Sequence, residues 1–234
     1  MHVSLALVGA HDGSKLKRLI TDANKLGSVL LVEPVPFLYQ RLKSSFGSIE
    51  TVLIENACIS TSCGKVQFTA PRPTANSVAP HGDQLGSLLP DHATNHDKRF
   101  LEHVEIIEVE SMTFTSVLDK HKIDAIDILF CDTEGMDATI LDTYPFERVL
   151  PRQLIFEYKH SDGTNNIGAR LGQLLIKLSG LGYRIAILDG ENMFAEQKEG
   201  AAPKCDYRVL SRGDASMVSR IARFCRRAIR RVAG

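Results

Sequence analysis

Short apolar runs alternate along this chain with stretches of helical spacing, and several of the runs stop at a turn carrying glycine or a carboxylate. Residues 5–8 (LALV) lead into GAHDG, residues 28–32 (SVLLV) into EPVP, and residues 126–131 (IDILFC) into DTEG. A strand buried on both faces reads as unbroken apolar sequence, and parallel strands need helical crossovers between them. The alternation therefore predicts an α/β fold, with a mostly parallel sheet flanked by helices. In such sheets ligands bind outside the carboxyl ends of the strands, so the three turns mark the expected site.

Strands are expected at residues 3–8, 28–33, 49–59, 125–131, 154–158, 184–188 and 207–210, with residues 65–69 pairing as a hairpin beside the third and ordered structure resuming at 104–109. Helical spacing covers residues 14–26, 36–46, 113–121, 138–144 and 167–181. Pro36 suits a first helical turn, where its missing N–H costs nothing. Residues 70–100 break the pattern with proline, serine, histidine and asparagine, which reads as a long functional loop or lid. Two regions follow: a main domain over 1–213, and a tail over 214–234 whose six arginines oppose an apolar stripe. Packing on the sheet is the preferred reading of such a basic helix, with contact to an anionic membrane surface or another polyanion as the alternative.

The formal net charge is zero, so no global field argues for nucleic acid. Five cysteines form no CxxC pair, which favours a reducing, cytoplasmic compartment over a disulfide scaffold or zinc ribbon. No apolar stretch approaches 18 residues, so neither secretion nor membrane crossing is expected.

Gly9 and Gly13 leave room for backbone N–H groups to approach a ligand, with Ala10, His11 and Asp12 overlooking the same place. Glu33 closes the second strand, where a carboxylate commonly accepts hydrogen bonds from ribose hydroxyls. A nucleoside-bearing cofactor is therefore expected. A dinucleotide fits less well, because GAHDG is not GxGxxG.

VGAHDG at 8–13, LLVEPVP at 30–36, ENACIS at 55–60 and IDILFCDTEGMDATIL at 126–141 together resemble the FkbM-type methyltransferases, which use S-adenosyl-L-methionine. The resemblance spans residues 3–158 and implies a Rossmann-like class I methyltransferase fold with a seven-stranded, mostly parallel sheet. It further implies that the first turn, Glu33 and Pro34 hold the amino-acid part and ribose of the cofactor. Asn56, Ala57 and Cys58 match the segment near the adenine, and Gly86 and Ser87 a small-residue patch near the cofactor.

Three roles compete for the DTEGMD segment. Asp132 could contact the methionine part or sulfonium of the cofactor, or it could join Glu157 in holding a divalent cation that orients an acceptor hydroxyl. Alternatively Glu134 or Asp137 caps the following helix, and for Asp137 capping is the preferred reading. His160, in the segment after the strand at 154–158, is the expected general base, since imidazole titrates near neutrality. His81, His92 and His96 are spaced too irregularly to be read as a metal site.

The expected activity is S-adenosyl-L-methionine-dependent O-methylation of a sugar, glycan or other small natural product. A catalytically silent cofactor-binding module and a nicotinamide-dependent oxidoreductase are the alternatives, since a fold does not determine a chemistry.

Overall fold

A computed structural model describes residues 1–14, 17 and 27–197. Most of the helix expected at 14–26, the strand at 207–210 and the basic tail at 214–234 lie outside the described residues.

The main sheet contains β1 (His2–Val8), β2 (Val29–Val32), β3 (Val52–Glu55), β7 (Ala125–Cys131), β8 (Gln153–Glu157), β9 (Tyr183–Ile187) and β10 (Asn192–Gln197). Their order across the sheet is β3-β2-β1-β7-β8-β10-β9, and β10 runs antiparallel to both its neighbours while the others are parallel. The central strands β1, β2, β7 and β8 are buried on both faces, which explains their unbroken apolar runs. In β1, Val3, Ala6 and Val8 face one core while Leu5 and Leu7 face the other; β2 divides Leu30 and Val32 from Val29 and Leu31 in the same way. A register slip of one residue would exchange the faces, and Val8 pairs with Val32 on one side and Cys131 on the other. That register brings the carboxyl ends of β1, β2 and β7 to one edge.

Helix α1 (Pro36–Phe46) begins with proline in its first turn, as expected, and buries Leu38, Leu42 and Phe46 at intervals of one turn. Helices α3 (Phe114–Lys120), α4 (Asp137–Asp142) and α5 (Gly168–Gly180) bury Val117, Leu118, Ile140, Leu141, Leu174 and Leu178 in the opposite core. No described helix is long and apolar enough to cross a membrane.

Three expectations need correction. The strand expected at 49–59 is split, because Asn56 and Ala57 turn the chain from β3 into β4 (Cys58–Ile59), which belongs to a second sheet. The segment at 65–69 pairs with no strand of the main sheet: β5 (Gly64–Pro71) runs antiparallel to β6 (Val104–Met112), more than thirty residues away, in the order β4-β6-β5. Lys65 on β5 meets Glu110 at 3.0 Å and Glu108 at 3.7 Å, which complements the acidic outer face of β6. The strand β10 was not expected at all, since Asn192–Gln197 carries only three apolar residues.

Beyond the end of β5, residues 72–100 are not featureless. They form short 3-10 turns and the five-residue helix α2 (His92–His96), held on a small core of Ala75, Ala93 and Phe100.

Candidate functional site

The first turn is built by backbone conformations that its sequence permits. Gly9, His11 and Gly13 all have positive φ, at 79°, 54° and 68°. The N–H groups of Gly9 and Ala10 both donate to the carbonyl of Val32, tying the turn to the end of β2. Asp12 Oδ1 accepts from the Ser14 N–H at 2.9 Å and lies 3.2 Å from His11 Nδ1. These hydrogen bonds and the nearby imidazole outweigh partial burial and hold the Asp12 carboxyl below its ordinary value, although burial is the largest single influence.

Glu33 lies where β2 ends, and it is buried. Its Oε2 accepts from the His11 N–H at 2.8 Å and its Oε1 from the Val35 N–H at 2.9 Å. This carboxylate therefore joins the β1 turn to the entry of α1. Burial, assisted by the charge of Asp12, pushes its pKa up to about 7 despite the two N–H donors.

These residues open onto a cleft whose empty space, including that open to solvent, is about 1180 Å³. Gly9, Ala10, His11, Asp12, Gly13, Glu33, Pro34, Ala57, Cys58 and Asp132 line it, so ten of the residues singled out in the sequence converge there. Val35, Leu38, Phe68 and Leu88 supply an apolar wall, suited to a flat heterocycle. Asp83, Gln84 and Gly86 come from the segment at 70–100, which forms one side of the cleft as a lid would. Asp83 was missed because its relevance depends on tertiary contacts: its Oδ1 is 3.3 Å from His11 Nε2 and its Oδ2 is 3.7 Å from Arg41 Nη1.

Two residues from the cofactor-binding set stand behind the cleft. Asn56 Nδ2 donates to the carbonyls of Glu33 at 2.9 Å and Pro34 at 3.0 Å, and so sets the backbone that carries the glutamate. Replacing Asn56 by alanine should cost about 1 kcal/mol, the net worth of the lost hydrogen bonds where water can enter in place of the exposed Asn56 side chain. A fall of roughly 2–4 °C in melting temperature would register it, and an unchanged melting temperature would show that the side chain is not needed there. Ser87 is fully buried; its hydroxyl donates to the carbonyl of Glu134 at 2.7 Å and accepts from the Leu89 N–H at 3.0 Å.

The second turn follows β7. Glu134 and Gly135 adopt positive φ, and Asp132, Thr133 and Glu134 line the cleft. Asp137 does not cap α4: it is the first helical residue, and its Oδ2 accepts from the N–H and hydroxyl of Thr133 at 3.1 and 2.7 Å. Burial is the main cause that pushes the Asp137 carboxyl up to about 7.

Glu157 and His160 are not part of the cleft lining. His160 is 3% exposed, and its two nitrogens are engaged: Nδ1 accepts from the Asn165 N–H at 2.6 Å and Nε2 lies 3.1 Å from Glu157 Oε1. Burial and the neighbouring rings lower its pKa to about 4, so the ring is neutral but enclosed rather than directed at an acceptor. Burial and the carboxylates of Glu134, Asp137 and Asp132 raise the Glu157 carboxyl far above its ordinary range. His160 instead packs edge-on against His92 and His96, with centroids 4.9 Å from each.

The family model of the methyltransferase FkbM domain matches residues 8–185 of the chain. No curated protein matches it. Solved structures of similar fold include fibrillarin from Aeropyrum pernix with natively bound S-adenosyl-L-methionine, at a TM-score of 0.44 and 11% identity over 82% of this chain and 66% of that one. A fibrillarin/Nop5p complex gives 0.42 and 12%, over 82% of this chain and 70% of that one. A SAM-dependent O-methyltransferase from Thermotoga maritima gives 0.40 and 12%, over 86% and 61%.

Proposed function

Because the chain belongs to the family of FkbM methyltransferase domains, we propose that it transfers a methyl group from S-adenosyl-L-methionine to a hydroxyl of a sugar, glycan or other small natural product. Its seven-stranded sheet, with one antiparallel strand next to the edge, has the Rossmann-like class I methyltransferase architecture. S-adenosyl-L-methionine is the cofactor of this family.

The residues present fit that cofactor. Gly9 and Gly13 let the first turn pack where a Cβ would strike the Asp132 carbonyl in one case and the Phe46 ring in the other, and so hold the turn in place at the floor of the cleft. The amino-acid portion would rest on this turn, the ribose hydroxyls would donate to Glu33, and the adenine would lie beside Ala57, Cys58 and the apolar wall. The observation that carries the reading is the junction of Glu33 with the backbone of His11, which unites the two strand ends in one nucleoside cradle.

When bound, the cofactor supplies an electrophilic methyl group on a sulfonium. The protein's contribution is alignment of the acceptor oxygen with that methyl, which can remove roughly 7–11 kcal/mol from the barrier. Asp132 is the carboxylate at the cleft that can hold the acceptor's hydroxyl and draw off its proton. Support for a neutral, hydroxyl-bearing acceptor comes from the charge of the lining: among the described residues its ionisable groups are His11, Asp12, Glu33, Cys58, Asp83, Asp132 and Glu134, with no lysine or arginine. A polyanion such as nucleic acid would be repelled there.

S-adenosylhomocysteine should raise the melting temperature whereas NADH should not. Labelled methyl should then pass from the cofactor to the oxygen of at least one member of a panel of sugars and hydroxylated natural products. Stabilisation by NADH alone would indicate an oxidoreductase, and cofactor binding without turnover across the panel a silent module. Label found only on nitrogen would overturn the hydroxyl assignment.

A further inference from the structure

We propose that His92, His96, His160 and Glu134 form a binding site for a divalent transition-metal ion of the zinc type, beside the methyl-transfer cleft. This inference stands on geometry separate from the cofactor cradle. The four residues come from three places in the fold: α2, the turn after β7 and the segment after β8. One ligand atom from each lies within 4.8 Å of those of the others.

His92 and His96 are four residues apart, which puts both imidazoles on the same side of a helical turn. His92 Nε2 is 3.2 Å from His96 Nε2 and 2.8 Å from Glu134 Oε2. Adjacent ligands in a tetrahedral zinc shell are about 3.3 Å apart, given bonds of about 2.0–2.1 Å. Two imidazole nitrogens and a carboxylate oxygen thus already stand at coordination spacing. A single ring proton at His92 Nε2 cannot satisfy both neighbours well, whereas a cation among the three draws on all their lone pairs.

The surrounding hydrogen bonds orient the rings for such a role. Thr164 Oγ1 lies 3.0 Å from His92 Nδ1 and can accept its proton, leaving Nε2 as the ligand atom. At His160 the Asn165 N–H marks Nδ1 as the lone-pair nitrogen, so Nε2 carries the proton and faces Glu157 Oε1 at 3.1 Å. For His160 to join the ion through Nδ1 the Asn165 N–H must swing off that lone pair, and Glu157 at Nε2 then remains the orienting partner of a carboxylate–histidine–metal arrangement.

The donor set identifies the class of ion. Three imidazoles and one carboxylate suit zinc and its transition-metal neighbours, whereas magnesium and calcium favour shells of oxygen. Four protein ligands make a closed, structural site. It would staple α2, within the segment that walls the cleft, to the carboxyl edge of the main sheet.

Untagged full-length protein, stripped with a chelator, should take up one equivalent of Co2+ with the intense visible absorption of four-coordinate cobalt. Zn2+ should displace that signal and raise the melting temperature. His96→Gln and Glu134→Gln should each weaken Zn2+ binding at least tenfold with an unchanged far-UV spectrum, and Glu157→Gln by about tenfold. His81→Gln, outside the cluster, should bind as the parent does. Failure to bind one equivalent, a weak six-coordinate cobalt spectrum, or undiminished Zn2+ affinity in His96→Gln with the fold intact would each overturn the proposal. None of these readouts depends on methyl transfer.

Discussion

Gly9→Ala should lower the stability of the protein by more than about 4 kcal/mol, a larger loss than most single substitutions produce. A Cβ at this position would lie 1.8 Å from the carbonyl oxygen of Asp132 and 2.8 Å from its carbonyl carbon, and neither is the movable end of a side chain. The backbone at Gly9 has φ of 79°, so the methyl group also meets the left-handed penalty of about 1–2 kcal/mol. Relief would require β1 and β7 to separate where Val8 pairs with Cys131 and the Asp132 N–H donates to the Val8 carbonyl at 2.9 Å. For a domain of this size, a loss of that order corresponds to a fall of roughly 10 °C or more in melting temperature. Gly172→Ala is the matched control, because the added methyl meets nothing within 4 Å on helix α5. It should be neutral or stabilise by up to about 1 kcal/mol. A Gly9→Ala protein melting within two or three degrees of the parent would show that the two turns do not approach as closely as described.

The same close approach explains which parts of the fold were legible in the sequence. Strands buried on both faces must be apolar throughout, so β1, β2 and β7 announce themselves, and the polar or glycine residues at their ends mark one edge of the sheet. Eight of the ten cleft residues can be named in advance because they sit within a few positions of those ends, while Ala57 and Cys58 follow β3 and are legible only through the family resemblance. Pairing across a long separation leaves no comparable signal. The eight-residue ladder between β5 and β6 joins segments divided by some thirty residues of turns, and only the opposite charges of Lys65 and Glu110 hint at it.

The histidine cluster shows another limit. A spacing of four between His92 and His96 is a helical spacing, but it has meaning only if the residues between form a helix, and proline-rich flanks argued for a loop. Glu134 and His160 are brought to that helix by the parallel order of β7 and β8, information carried by the whole sheet rather than by any local pattern. His160 consequently belongs to an enclosed group of rings, although its position after a strand end had suggested a catalytic base.

Glu33→Ala should weaken S-adenosylhomocysteine binding about a hundredfold while leaving the protein folded. Hydrogen bonds to a charged acceptor contribute about 1.5–3 kcal/mol each, and loss of the ribose contacts, partly replaced by water, leaves a deficit of about 3 kcal/mol. Glutamine cannot substitute: both oxygens of Glu33 accept backbone N–H groups, so an amide nitrogen would confront either His11 or Val35 donor to donor. The buried carboxyl also gives the interaction a pH dependence whose sign can be worked out. Its folded pKa, about 7, is above the unfolded carboxylate value of 4.5, so the unliganded fold is favoured by protonation and loses stability as pH rises from 4.5 to 7. Ribose hydroxyls donate to the ionised form, so binding strengthens over the upper part of that range. If only the carboxylate binds, the competent fraction rises about tenfold between pH 6 and pH 8, and the apparent affinity rises with it. Titration calorimetry of parent and Glu33→Ala at both pH values separates the possibilities. A flat affinity in the parent together with equal binding by the variant would remove Glu33 from the nucleoside cradle.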